Sequence, residues 1–257
     1  MTRVFPIAYN TYREAVRDRV LYNLIVFALL IVSSALFIGQ ISIEVERVVL
    51  INMGLTSISI FGIVIAIFIG ISLVWKEIER RTIYTVLAHP VHRWEFLFGK
   101  FIGLFGTLTF NAALMSLGFY AALFYLSHGI GRVDAYILVA IYFIVLQLMM
   151  MTALAMLFST YSSPLMSSIF AFATFAIGTF SEDLHNFAAA AQGPAKGVMT
   201  LVAYIVPNFS SLNVISQVAH GIPVQSGLVF HNTVYAISYT VVVMFCAAAI
   251  FENRNFK

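Results

Sequence analysis

Charge is what this sequence lacks most. Only 14 Lys or Arg and 11 Asp or Glu occur among 257 residues, or 10%, where a soluble domain averages about 25%. So few charges cannot cover the surface of a chain that is 61% hydrophobic, which excludes a water-soluble globule. The same composition excludes intrinsic disorder, which needs low hydrophobicity. A single cysteine, Cys246, excludes an internal disulfide framework. No G-x-x-x-x-G-K-[ST] run is present, so a P-loop nucleotide site is excluded as well. What remains is an all-α polytopic membrane protein.

The rare charges mark the spans. Leu21–Ile43 carries none; Val48–Trp75 is free of charge for 28 residues, Phe101–Gly131 for 31 and Ala135–Ser181 for 47. A hydrocarbon core takes about 20 apolar residues per helix. The longest run is therefore two helices, broken at the polar turn Ser159–Pro164. Gly197–Phe251 is interrupted by Pro207, His220, Pro223 and His231, and only its end reads as a full span. Six spans are predicted, at about 21–41, 50–74, 101–126, 135–158, 164–181 and 228–251, in one transmembrane domain covering 1–257.

Lys and Arg give the orientation. Eleven lie in the N-terminal segment (Arg3, Arg13, Arg17, Arg19), the 75–100 loop (Lys76, Arg80, Arg81, Arg93, Lys100) and the tail (Arg254, Lys257), against Arg47, Arg132 and Lys196 on the other side. This bias predicts both termini and the 75–100 loop on the cytoplasmic side of a plasma (cytoplasmic or inner) membrane. The net charge of +3 follows from the same asymmetry, so it is not a nucleic-acid signal. No cleavable leader is expected, because the apolar run begins after a segment holding Glu14 and Asp18 and no A-x-A site follows it.

Three polar stretches stand between the spans. At the N-terminus, Phe5, Ala8, Tyr12, Ala15/Val16 and Val20 recur at helical spacing, with Arg13 and Arg17 on another face. This predicts an amphipathic helix in the membrane interface. In the loop 75–100, Thr82 can cap a short helix whose Ile83, Val86 and Leu87 share a face and which Pro90 stops. Such a helix either packs in the interface or docks into a groove on a soluble partner. The external segment 182–227 holds Gly193-Pro194, Pro207-Asn208 and Gly221-Ile222-Pro223, and is expected to fold back over the outer mouth as a gate or a re-entrant plug.

The loop carries a resemblance. Glu79-Arg80-Arg81-Thr82, then Leu87, Pro90, Arg93, Phe96 and Gly99-Lys100 resemble the signature of the ABC-2 type permeases. More narrowly they resemble the NosY-like branch associated with multicopper-enzyme maturation. Arg81 stands where many members have glycine, so the backbone there need not adopt a glycine-only conformation. The resemblance implies a permease subunit of an exporter, two copies of which (homodimer or heterodimer) associate with two ABC ATPase subunits. It implies that the helix between spans two and three is a coupling helix seated on the ATPase. Glu79, Thr82, Ile83, Val86, Leu87, Pro90, Arg93 and Lys100 are then the docking and coupling residues. No cofactor is expected on this chain, with ATP and Mg in the partner. The competing reading is a non-transporting membrane scaffold or assembly subunit.

Other signals are weaker. Asn111 and Gln147, near the centres of spans three and four, are read either as helix–helix hydrogen-bonding groups or as lining a substrate path. No Asp, Glu, Lys or Arg is placed mid-span, which disfavours a proton- or ion-coupled secondary transporter. Gly62/Ala66/Gly70 and Gly99/Gly103 repeat every four residues, a spacing that permits close helix approach, within the chain or across a dimer seam. Met149–Met151, Met156 and Met166 suit packing better than copper, since consecutive residues point to different helix faces. His89, His92, His185, His220 and His231 lack metal-ligand spacing, so no metal site is expected, and Asn208-Phe209-Ser210 matches a glycosylation sequon of low specificity.

Overall fold

The computed structural model describes residues 4–16, 46–79, 93–127, 135–182 and 205–253, with Tyr22, Val26, Leu29, Leu30, Ser33, Gly197 and Thr200. Among the described residues every regular element is helical. The α-helices are α1 (Val4–Val16), α2 (Glu46–Glu79), α3 (Arg93–Ser127), α4 (Ala135–Tyr161), α5 (Pro164–Thr179), α6 (Ile215–Ala219) and α7 (Ser226–Asn253).

Four of them are long and apolar enough to cross a membrane: Glu46–Trp75, Trp94–Tyr125, Ala135–Tyr161 and Ser226–Glu252. The expected first span, 21–41, falls mostly outside the described residues. The expected fifth is the 16-residue α5, about 24 Å long at 1.5 Å per residue and shorter than a hydrocarbon core of about 30 Å. α2 and α3, with 34 and 35 residues, have the opposite property: at about 50 Å they carry their charged ends beyond the apolar layer. That is why both outrun the charge-free segments that signal them.

Side chains fix the helix directions. Ser59 Oγ donates to Gln147 Oε1 at 3.1 Å, and Ser159 Oγ to the Ile71 carbonyl at 3.3 Å. Both partners advance twelve residues in the same sense, so α2 and α4 run parallel. Tyr142 and Thr233 share a hydroxyl–hydroxyl hydrogen bond of 2.9 Å, which sets α7 beside α4. The close approach of Gly54 to Phe119 and of Gly70 to Leu104 makes α3 antiparallel to α2. The turn 161–164 reverses the chain into α5, where Pro164 occupies the first turn and costs no hydrogen bond. The core runs continuously through α2, α3, α4 and α7 and includes Met150, Met151 and Met156.

The N-terminal segment is helical, and α1 packs lengthwise on the first half of α3, with Ala8, Thr11 and Ala15 buried. Glycines make this possible. A Cβ on Gly99 would sit 2.8 Å from the Ile7 side chain, and one on Gly103 would overlap the Ala8 carbonyl oxygen. Tyr12 meets the Phe110 ring edge-on at 6.5 Å. Phe5, expected on the apolar stripe, is 76% exposed and shares the outer face with Tyr9 and Arg13.

Candidate functional site

α2 and α3 are antiparallel neighbours, and Glu79 and Arg93 end and begin them at the same end of the bundle. Thr82, Ile83, Val86, Leu87 and Pro90 lie outside the described residues, and so do the side chains of Glu79 and Arg93. A connection between adjacent antiparallel helices usually takes 2–8 residues; residues 80–92 are a longer excursion. Aromatic contacts pack the foot of α3. Phe96 stacks on Phe251 of α7 at 6.4 Å, Phe98 meets Phe245 edge-on at 6.0 Å, and the Lys100 ammonium stands 5.3 Å over the Phe96 ring. Lys100 is only 4% exposed, so its charge is held within the bundle.

The two mid-span amides have different surroundings. Gln147 is buried and accepts the Ser59 hydroxyl, which ties α4 to α2. Asn111 is 3% exposed, and its Nδ2 has no hydrogen-bond partner. Leaving such a donor unpaired costs about 1–3 kcal/mol. The glycine repeats of α2 and α3 serve contacts within the chain: Gly62 faces Leu148, Gly70 faces Ala155, and Gly99 and Gly103 face α1.

At the opposite end residues 205–219 pack against the bundle. Phe209, Leu212, Val214 and Val218 join the hydrophobic core, and the Phe209 N–H donates to the Gly178 carbonyl of α5 at 3.1 Å. Asn208 is the hub of this segment. Its Oδ1 accepts the Ser181 hydroxyl at 2.6 Å and the Ser211 N–H at 3.0 Å, while its own N–H donates to Tyr235 Oη at 2.8 Å. Asn232 Nδ2 donates to the Ser211 carbonyl at 2.6 Å, and the Tyr239 hydroxyl to the Ile205 carbonyl at 3.1 Å. Buried backbone polar groups outside helices need such partners.

Two cavities flank residues 205–217. An apolar one of about 580 Å³ lies between α4, α5 and α7, with Leu154, Phe158, Thr174, Pro207, Tyr239 and Cys246 on its walls. A polar one of about 410 Å³ opens at the end of the bundle near the start of α7, lined by Glu182, Asn208, Ser210, Ser211, Asn213 and Gln217.

A family model described as "ABC-2 family transporter protein" matches residues 5–256. The chain belongs to the ABC-2 transporter family. It is thus a multi-pass membrane protein and a permease subunit of an ABC-type transporter, from a family that works with ABC ATPase partners. No curated protein matches it.

The Asn208 cluster of this permease was missed in the sequence. Its partners, Ser181, Ser211, Asn232 and Tyr235, are scattered over 55 positions, and the sequon pattern drew attention to Asn208 for another reason. The only available signal was a Pro-Asn pair inside an apolar segment, which marks a break but not its neighbours. Among the described residues no three His, Cys, Asp or Glu side chains gather as a metal site.

Proposed function

We propose that the chain is the membrane half of an ABC-2 exporter, driven by a separate ATPase that docks on residues 80–92. What supports this is that α2 ends at Glu79 and α3 begins at Arg93 at the same end of the bundle, with a connection longer than two adjacent helices require. Motion of a docked 80–92 segment acts on α2 and α3 together. α2 is tied to α4 through Ser59–Gln147 and Ser159–Ile71, and α3 carries α1 on its glycine face. In this reading Ile83, Val86 and Leu87 fill the ATPase groove. Glu79, Thr82, Pro90 and Arg93 shape the docking helix, and buried Lys100 holds the foot of α3. Both termini and residues 80–92 face the cytoplasm of the plasma membrane, as the Lys/Arg bias requires. Two permease copies and two ATPase subunits make the transporter, with ATP and Mg held by the ATPase. The narrower NosY-like assignment rests on the Glu79–Lys100 run.

The test is nucleotide handling by the purified chain, alone and with a co-expressed ABC ATPase subunit. The chain alone is expected neither to bind nor to hydrolyse ATP, with hydrolysis appearing only in the complex. Micromolar ATP binding by the isolated chain overturns the reading.

A further inference from the structure

The two cavities lie along one face of α7. Leu228 lines the polar pocket and Tyr235 the apolar one. Seven residues separate them, two helical turns or about 10 Å on the same side. On the chain that crosses between α5 and α7, Pro207 belongs to the apolar wall and its neighbour Asn208 to the polar wall. The Pro207–Asn208 junction is therefore a partition between an apolar compartment and a polar one.

Each compartment has a definite chemistry. The apolar cavity reaches from Tyr235 to Cys246 along α7, eleven residues or about 16 Å, which is close to half of a hydrocarbon core of about 30 Å. It can be reached from the bilayer, since Ile205, Val242 and Cys246 on its rim are exposed. An apolar void open to lipid gains dispersion contacts when a chain fills it. Among the described residues that line the polar pocket, Glu182 is the one ionisable group, and it accepts the Ser210 hydroxyl at 3.4 Å. The Ser210 hydroxyl donates to Glu182 and the Ser211 hydroxyl to the Asn208 carbonyl, which leaves both oxygens as acceptors, and Asn213 and Gln217 add neutral amides to the lining. Among the described lining groups one negative charge stands beside neutral polar groups, which favours a compact cation with several N–H donors.

We propose that the two compartments form one site for an amphiphile, with an aliphatic chain in the cavity beside Cys246 and a protonated amine headgroup against Glu182. The polar pocket lies at the end of the bundle opposite residues 80–92, and the apolar cavity runs from it along α7 toward Cys246. The proposed site rests on the membrane placement of the chain and not on the ATPase reading, so the two fail independently.

The test uses the full chain in phosphatidylcholine nanodiscs with two photoprobes, hexadecylamine and hexadecanol, each carrying a mid-chain diazirine. After irradiation, peptide mass spectrometry maps the adducts. The amine probe is expected to label 238–246 and 154–158 saturably and more strongly than the alcohol at equal concentration. Glu182→Gln, at an exposed position, is expected to cut sub-saturating amine labelling at least fivefold and leave alcohol labelling unchanged. Ser238→Phe, which fills the cavity, is expected to lower both. Equal labelling by the two probes, indifference to Glu182→Gln, or unsaturable labelling spread over lipid-facing helices overturns the proposal. Should Ser238→Phe fail to fold, Glu182→Gln alone decides.

Discussion

The backbone N–H of Asn208 donates to the phenolic oxygen of Tyr235 at 2.8 Å, joining a non-helical stretch of chain to the first half of the long apolar helix α7. Removing the acceptor leaves a part-buried donor with nothing to replace it, at a cost of about 1–3 kcal/mol. Tyr235→Phe is therefore expected to lower the thermal midpoint in detergent by several degrees. Tyr239→Phe, which frees only the Ile205 carbonyl, is expected to lower it less. Equal midpoints for wild type and Tyr235→Phe would show that the bond contributes nothing to holding the segment.

The seat of α1 depends on glycine in α3. Gly103→Leu puts a side chain where the Ala8 carbonyl and Thr11 lie, so α1 is expected to detach while the spans still insert. Trypsin cleavage after the exposed Arg13 reports the change and is expected to rise several-fold. Gly197→Ala, with nothing within 4 Å of the added Cβ, is the matched control and is expected to cleave as wild type does.

Ser59 and Gln147 offer a cleaner energetic test. A hydrogen bond between membrane helices contributes about 0.6 kcal/mol on average, yet an orphaned buried amide costs more. Ser59→Ala alone is expected to destabilise the protein. Ser59→Ala with Gln147→Leu is expected to recover most of that loss, because both polar groups leave together. A double variant weaker than the sum of the singles would instead give Gln147 a role beyond this pair.

Much of this fold was legible because bilayer physics is written in one dimension. The Val48–Trp75 run marks α2, and the polar turn ending at Pro164 marks the α4–α5 reversal. Both follow from local hydropathy and backbone chemistry. What was not legible depends on which surfaces meet. The Gly99/Gly103 spacing announces close approach but not that α1 is the partner. Phe5 fits the apolar stripe of α1 by period and still faces outward, because the glycine trough accepts the Ala8–Thr11–Ala15 face. The mid-span amides look alike in sequence, and only packing separates paired Gln147 from unpaired Asn111. The Asn208 cluster and the cavities beside it draw on α4, α5, α7 and residues 205–217 at once, so no short motif could encode them.

Orientation is tested by single cysteines in a Cys246→Ser background: Thr2→Cys, Pro90→Cys, Gln192→Cys and Asn255→Cys. Eleven of the fourteen Lys and Arg lie in the segments assigned to the cytoplasm. An impermeant thiol reagent added outside is therefore expected to label only position 192. Labelling at 90 would invert the topology and remove the ATPase from reach of the 80–92 segment.

The central claim is that residues 80–92 couple this permease to an ATPase, and Leu87→Glu tests it most directly. If Ile83, Val86 and Leu87 fill a partner's groove, a carboxylate among them is buried without a counter-charge and costs several kcal/mol, while the spans are untouched. Pulldown of the ATPase, normalised to membrane insertion and paired with ATP-driven transport, is the measurement. The account predicts that Leu87→Glu loses association or uncouples hydrolysis from transport, and that Glu79→Gln weakens coupling without preventing assembly. Wild-type association together with wild-type coupled transport in Leu87→Glu would contradict it and leave the segment a membrane-surface anchor.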